Sequence, residues 1–165
     1  MPEHDPRALF EKLILDGFQA GLSWWSILSR REGFRAAFEG FHPEAIAAWD
    51  DARLEALLQD PRIIRNRAKV YAARGNARAF LEIPDFSVWL WRWVDGRPIH
   101  NHWETLAEVP VRTDLSRALA KELKARGFSF CGPTIVYAFL QAVGVVNDHL
   151  VGCFRHGELE GMITS

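Results

Sequence analysis

Apolar residues recur along most of this chain at intervals of three and four, the spacing that places them on one face of an α-helix. Asp5-Pro6 supplies an N-cap followed by proline at the first helical position, and Gly17 is predicted to end the helix that begins there. The inward face of this helix is formed by Leu9, Phe10, Leu13 and Ile14. A second helix is predicted to begin at the cap Ser23 and to stop near Gly33.

Further helical runs follow to the end of the apolar pattern. Their predicted starts are His42-Pro43, Asp50 or Asp51, Phe86, and Thr113 or Asp114. The run 132–144 is apolar nearly all round and predicts a buried central helix, although Ile135-Val136-Tyr137 alone also fits a strand. No internal repeat or linker divides the chain, so the sequence predicts an all-α fold in which residues 1–165 form a single domain.

Composition narrows the class of protein. The chain is 48% hydrophobic and 25% charged, with a formal net charge of -1. No window reaches the roughly 18 apolar residues of a membrane span, and the amino terminus lacks the pattern of a signal peptide. Cys131 and Cys153 are too few for a disulfide framework and suit a reducing compartment. We therefore expect a cytoplasmic protein without membrane contact.

The segment 62–78 contains six basic residues and no acidic one. It forms either a solvated helix face or a surface that contacts nucleic-acid phosphates. The candidates for phosphate contact are Arg62, Arg65, Arg67 and Lys69. The region 58–70 has the outline of a helix-hairpin-helix motif, two helices meeting at a short turn, but it lacks the LPGxG turn typical of that motif.

His149 and Cys153 lie four residues apart, which places two good zinc ligands on one face if the segment is helical. A structural zinc site normally needs four ligands, and no other histidine stands at a diagnostic spacing. Metal binding and an inert pair in the core both stay open. The sequence contains no nucleophile elbow, Walker loop, dinucleotide fingerprint or HExxH motif.

The stretch LDGFQAGLSWW, residues 15–25, combines a carboxylate with glycines and paired tryptophans. Gly17 and Gly21 allow close backbone approach, while Asp16 beside a tryptophan offers a hydrogen-bond acceptor next to a flat stacking surface. This combination suits a flat, cationic ligand that bears an amine. The alternative is purely structural, with both tryptophans in the core.

Three long segments stand in a distinctive order: LFEKLILDGFQAGLSW, RIIRNRAKVYAARGNARAFL and RGFSFCGPTIVYAFLQAVGVVNDHLVGC. In this order and at these separations they resemble the DNA-3-methyladenine glycosylase I family, from about Pro2 to Cys153. The resemblance implies an all-α helix-hairpin-helix glycosylase-like domain. Such a domain flips an alkylated base out of double-stranded DNA and cleaves its N-glycosidic bond. It also implies that the chain acts as a monomer.

The resemblance carries site residues with it. Trp24 matches the aromatic residue that stacks on the flipped base, and Asp16 matches the acidic residue that hydrogen-bonds the purine edge. Glutamate is usual at that position, so Asp16 reaches one methylene less. Gln19 matches a pocket-side position, and Asp148 either assists the attack of water or caps a helix or turn. Trp25 is expected to point into the core.

In the family, His149 and Cys153 match two ligands of a structural zinc, whose partners lie in an amino-terminal segment before the point where this sequence begins. That segment also supplies aromatics that help to close the base pocket. We therefore expect an amino-terminally truncated domain that binds zinc weakly or not at all. Two other classes stay open: a non-catalytic binder of DNA or lesions, and a structural helical module.

Overall fold

Short polar side chains begin most of the helices by accepting a hydrogen bond from the backbone amide three residues later, which satisfies one of the free donors of a first turn. Asp5, Ser23, Asp50 and Thr113 all act in this way. The helix starts predicted at these residues are therefore confirmed. Pro43 and Pro133 occupy first-turn positions, where a missing amide proton has no cost.

The computed structural model describes residues 2–161, and the side chains of residues 2–158. The helices are α1 (Pro6–Gln19), α2 (Trp24–Leu28), α3 (Arg31–Ala37), α4 (Pro43–Ala47), α5 (Asp51–Leu57), α6 (Arg67–Leu81), α7 (Phe86–Trp91), α8 (Asp114–Ala125), α9 (Pro133–Ala142) and α10 (Phe154–Gly161). Short 3-10 turns cover Glu39–Phe41 and Arg92–Val94. Two strands, β1 (Ile99–His100) and β2 (Val146–Asn147), complete the described elements.

Two glycines do not end helices as predicted. Helix α1 continues past Gly17 to Gln19. Gly17 lies against Phe130, where a Cβ would be 3.4 Å from the Phe130 carbonyl oxygen. Gly33 lies inside α3, where a Cβ would come within 2.7 Å of the Arg62 carbonyl oxygen. Both glycines therefore serve close approach between segments rather than helix termination.

Helix α9 lies between α1 and α8, and α6 packs against α1 and α4. The predicted central position of α9 is confirmed, since Val136, Phe139 and Leu140 are fully buried. A second part of the core is aromatic: Phe18 packs edge-on against Phe34 and Phe38. This aromatic cluster fixes the end of α1, where the candidate site begins.

Strands β1 and β2 pair in parallel, with Ile99 opposite Val146 and His100 opposite Asn147. This two-residue pairing is a small addition to an otherwise helical chain, so the predicted all-α class is confirmed. It fastens the segment after α9 to the long connection between α7 and α8. Among the helices of residues 2–161, none has the length and apolar character needed to cross a bilayer.

The close approach of Arg62 to Gly33 should make the stability of the fold sensitive to a side chain at position 33. Gly33→Ala should lower the free energy of unfolding by about 1–3 kcal/mol, because the added methyl group overlaps backbone atoms of Arg62. Gly75→Ala is the matched control, since Gly75 is also helical but has no atom within 4 Å of an added Cβ. The control should gain about 0.5–1 kcal/mol, and urea denaturation of both variants measures the difference. Equal effects of the two substitutions would contradict the packing of α3 against Arg62.

Candidate active site

A cavity of about 650 Å³ opens between α1, α2, α9 and the segment that follows β2. Its wall includes the predicted residues Asp16, Gln19 and Trp24, and also His149. The further lining residues are Lys12, Ala138, Gln141, Ala142, Gly144, Val146, Asp148 and Arg155. The structure thus brings together the three side chains that the family resemblance assigned to the base pocket.

Asp16 is a buried carboxylate on the last turn of α1, with 2% of its surface exposed. Its Oδ1 atom accepts a hydrogen bond of 2.8 Å from the Lys12 ammonium one helical turn earlier. Its Oδ2 atom is also buried and has no hydrogen-bond partner within the described residues. Burial raises the pKa of the Asp16 carboxyl, and the ion pair with Lys12 opposes this effect. One oxygen of a buried acceptor is therefore left for a ligand.

Trp24 begins α2 and is 40% exposed, with Lys12 Nζ lying 3.8 Å from the centroid of its ring. The prediction that Trp25 points into the core is wrong, because Trp25 is 74% exposed. Successive residues of a helix point about 100° apart, and α2 uses Ile27 as its buried contact. Trp24 consequently turns to the cavity while Trp25 turns to solvent.

The turn between α1 and α2 is held by hydrogen bonds of its own. Gln19 donates from Nε2 to the Leu22 carbonyl at 2.8 Å, and Gly21 adopts a φ of +79° that few other residues accept. Lys69 donates to the carbonyls of Phe18 and Ala20 at 2.8 and 2.6 Å. These contacts hold the turn that leads from Asp16 at the end of α1 to Trp24 at the start of α2.

Lys69 does not fit the phosphate contact predicted for it. Its side chain is buried, and its ammonium is engaged by two carbonyls at the end of α1. Arg62 and Arg67 are exposed but paired, with Asp60 at 2.7 Å and Glu55 at 2.5 Å. Arg65 is exposed. Much of the positive charge of this segment is thus compensated by carboxylates that precede it in the chain.

A second basic surface was missed by sequence reasoning. A groove along α8 leads to the start of α9 and is lined by Arg117, Lys121, Lys124 and Gly132. Both lysines are exposed, and no carboxylate of residues 2–158 lies within 4.0 Å of either ammonium. Among the side chains of residues 2–158, none caps the start of α9. The sequence signal for this surface was a short connection between two predicted helices, bounded by Gly127 and by Gly132-Pro133.

Asp148 lies at the floor of the cavity and is held by four donors. Its Oδ1 accepts from Asn101 Nδ2 and Trp103 Nε1, both at 2.7 Å. Its Oδ2 accepts from Gln141 Nε2 at 2.6 Å and from the Tyr137 hydroxyl. Burial pushes the pKa of Asp148 upward, but these hydrogen bonds outweigh it and hold the pKa below its ordinary value. Because both oxygens are saturated, Asp148 acts as an anchor between α9 and the β1 connection.

His149 and Cys153 precede α10 and do not lie on a helix, so the shared helical face that their spacing would give in a helix does not form. They are nevertheless close, with His149 Nδ1 3.9 Å from Cys153 Sγ. Among residues 2–158, no group of three histidine, cysteine, aspartate or glutamate side chains is arranged to hold a metal ion. Two donors do not fit the closed four-ligand geometry of a structural zinc site.

Comparison with known proteins identifies this arrangement. A model of the methyladenine glycosylase family matches residues 1–156. DNA-3-methyladenine glycosylase 1 of Escherichia coli K12 is 47% identical over 157 residues, which cover 93% of this chain and 84% of the relative. The DNA-3-methyladenine glycosylase of Haemophilus influenzae is 45% identical, over 92% of this chain and 84% of the relative.

Solved structures agree with the sequence comparison. A crystal structure of 3-methyladenine DNA glycosylase I superposes with a TM-score of 0.91 at 48% identity, over 93% of this chain and 87% of the other. The Staphylococcus aureus enzyme, described in terms of its recognition of 3-methyladenine, gives a TM-score of 0.91 at 35% identity, over 93% of this chain and 84% of the other. The chain belongs to the methyladenine glycosylase family.

Proposed function

We propose that this chain is a DNA-3-methyladenine glycosylase of base-excision repair, with residues 1–165 acting as one domain and as a monomer. It hydrolyses the N-glycosidic bond of 3-methyladenine in double-stranded DNA after the base has been flipped out. The observation that supports this best is the pairing of Asp16 with Trp24 in one cavity. The two free cysteines, Cys131 and Cys153, suit the reducing cytoplasm as its compartment.

The chemistry of the lesion explains why a carboxylate and an indole are sufficient. Methylation at N3 makes the adenine cationic, so the base leaves as a neutral purine and the glycosidic bond is weak before the protein acts. The face of Trp24 attracts the positive ring, and the free Asp16 Oδ2 accepts a hydrogen bond from the base edge. Contacts that hold the departing base in place as the bond breaks lower the barrier to its release.

Burial of Asp16 favours the cationic methylated base over unmodified adenine. A carboxylate with 2% exposure is poorly solvated, so a cationic ligand that approaches it replaces lost hydration. An unmodified adenine brings no such charge. Stacking on an aromatic ring contributes about 1–3 kcal/mol per base, which is comparable to the few kcal/mol that flipping costs. A flipped neutral base is therefore held less well than a methylated one.

The DNA backbone is expected to follow the surface formed by the α8 groove and the start of α9. Unpaired lysines supply charge there, and the amides of a helix start can donate to a phosphate oxygen. Arg62 and Arg67, each paired with a carboxylate, form a second surface together with Arg65. On the α8 surface, by contrast, a DNA partner would meet two lysines that no carboxylate of residues 2–158 compensates.

Trp24→Ala should lower the rate of base release from alkylated duplex DNA by about 10- to 100-fold, because the stacking surface is lost. The assay is chromatography of free 3-methyladenine, with non-specific DNA binding measured in parallel and expected to change little. Trp25→Ala is the matched control, since Trp25 is the exposed neighbour outside the cavity. Full activity of Trp24→Ala would exclude the stacking assignment. DNA binding by the wild-type chain without any base release would instead indicate a non-catalytic lesion binder.

The two basic surfaces can be ranked by their salt dependence. The double variant Lys121→Ala/Lys124→Ala should bind duplex DNA more weakly and reduce the slope of log K against log salt by about two, one for each lost phosphate contact. Arg62→Ala/Arg67→Ala removes the same charge from the compensated surface and should change the slope by less. Fluorescence anisotropy of a labelled duplex measures both, and the opposite ranking would place the DNA on the other surface.

For zinc, we expect the purified chain to bind the metal weakly or not at all. His149 and Cys153 are two ligands where a structural site normally uses four. Elemental analysis after gel filtration with a competing chelator measures the content, and Cys153→Ser should leave thermal stability nearly unchanged. Stoichiometric zinc that survives the chelator, together with a large loss of stability in Cys153→Ser, would show that further residues complete the site.

A further inference from the structure

The Lys12 side chain extends from α1 into the candidate cavity and makes two contacts there. Its ammonium lies 3.8 Å from the centroid of the Trp24 ring and 2.8 Å from Asp16 Oδ1. All three side chains line the same cavity. The Lys12 side chain keeps 20% of its surface exposed, whereas that of Asp16 keeps 3%. A cation of the protein itself therefore occupies both the indole face and the carboxylate.

These are the two contacts through which the site would hold a methylated base. A cationic purine stacks on the indole and offers an N–H donor to the carboxylate. Of the two Asp16 oxygens, Oδ2 has no partner within the described residues, and the ammonium lies over the Trp24 ring. The free protein thus contains an internal substitute for its ligand.

We propose that Lys12 is a tethered competitor for the base site: it occupies Trp24 and Asp16 in the free protein, yields to the cationic base and returns when the neutral product remains. This proposal rests on the proposed function, because it concerns the same cavity. It adds a residue that sets the affinity of the base site and that the sequence comparison did not single out.

Displacement of Lys12 is favourable for the cationic base and unfavourable for the neutral product, because Asp16 is buried. A buried carboxylate that loses its counter-charge is strongly destabilised. When a cationic base displaces Lys12, the positive charge beside Asp16 is replaced. Once the glycosidic bond has broken the base is neutral, so Asp16 is left uncompensated until the ammonium returns. Lys12 thereby sets a threshold that the substrate base passes and the product does not.

The geometry of α1 allows this exchange without a change of fold. Lys12 and Asp16 are four residues apart on one helix, so their contact needs no tertiary rearrangement. The lysine stem is flexible and partly exposed, which lets the ammonium swing into solvent. Arg155 also lines the cavity, but its guanidinium lies 5.6 Å from the Phe154 ring centroid and 3.6 Å from Glu158. Lys12 is therefore the cation on Trp24.

Two small probes test the proposal without DNA or catalysis. The first is 3,9-dimethyladenine as its cation, which imitates the flipped methylated base, and the second is neutral 3-methyladenine, the product. Binding to the full chain is measured by isothermal titration calorimetry at about pH 8, above the usual titration range of a carboxyl group. The variants are Lys12→Met, which removes the charge, Lys12→Arg, which keeps it, and Arg97→Met, which removes an exposed cation outside the cavity.

Lys12→Met should bind both probes about tenfold more tightly, because the cost of displacing the ammonium from the indole and the carboxylate is removed equally for each. Lys12→Arg and Arg97→Met should stay within about threefold of the wild-type affinities, which is small beside that change. In base-release assays, added 3-methyladenine should inhibit Lys12→Met at lower concentration than it inhibits the wild type.

Three results would overturn the proposal. Unchanged affinities in Lys12→Met would mean that the ammonium does not compete for the site. Tightening of the cationic probe alone would mean that Lys12 stays in place and merely repels charge. If neither probe bound the wild type or any variant, the base site itself would be rejected, and with it the proposed function.

Discussion

A carboxylate buried at the end of a helix is the constraint on which the rest of this site depends. Asp16 keeps 2% of its surface exposed, so its charge must be compensated by something other than water. Lys12 supplies that charge from one turn earlier, and the second oxygen of Asp16 accepts no hydrogen bond from the part of the chain that the structure describes. An apolar residue at this position would be easier to accommodate. A carboxylate at this position is explained if the site binds a positively charged ligand.

The surrounding structure keeps this carboxylate in place from two sides. Lys69 holds the carbonyls that end α1, and Gly17 lets Phe130 approach the helix closely. On the opposite side, Asp148 collects donors from α9 and from the β1 connection and so fixes the floor of the cavity. The two aspartates of the cavity differ: both oxygens of the half-buried Asp148 are hydrogen-bonded, whereas Asp16 Oδ2 has no partner within the described residues. Of these two carboxylates, Asp16 is therefore the one suited to bind a ligand.

Local signals in the sequence were enough to predict most helix starts, because a capping side chain acts on an amide three residues away. The helix ends predicted at Gly17 and Gly33 were wrong. These glycines are needed for the close approach of Phe130 and Arg62, which are remote in the chain. The stretch 15–25 indicated a site with Asp16 beside a tryptophan, the family resemblance assigned the roles of Asp16 and Trp24, and the structure places both in one cavity. The four-residue spacing of Lys12 and Asp16 can be read from the sequence. The contact between Lys12 and the Trp24 ring cannot, because it depends on the turn at Gly21.

Charge was harder to interpret from sequence than apolar pattern. The segment 62–78 looked uncompensated because its partners, Asp60 and Glu55, precede it, and Lys69 looked like a surface residue until its carbonyl acceptors were known. The α8 lysines were not predicted as a basic surface, because acidic residues alternate with them along that helix. Charge density along a chain differs from charge density on a surface, and only the folded chain shows which cations remain unpaired.

The central claim is that Asp16 and Trp24 bind the base together, and an NMR titration of the isotope-labelled chain with 3-methyladenine tests it most directly. The account predicts that the largest shift changes occur at the indole N–H of Trp24 and at the backbone amides of Asp16 and Gly17, and that they saturate together. Changes centred instead on the separate cavity beside Trp91 and Ser87, or none at Trp24, would contradict it.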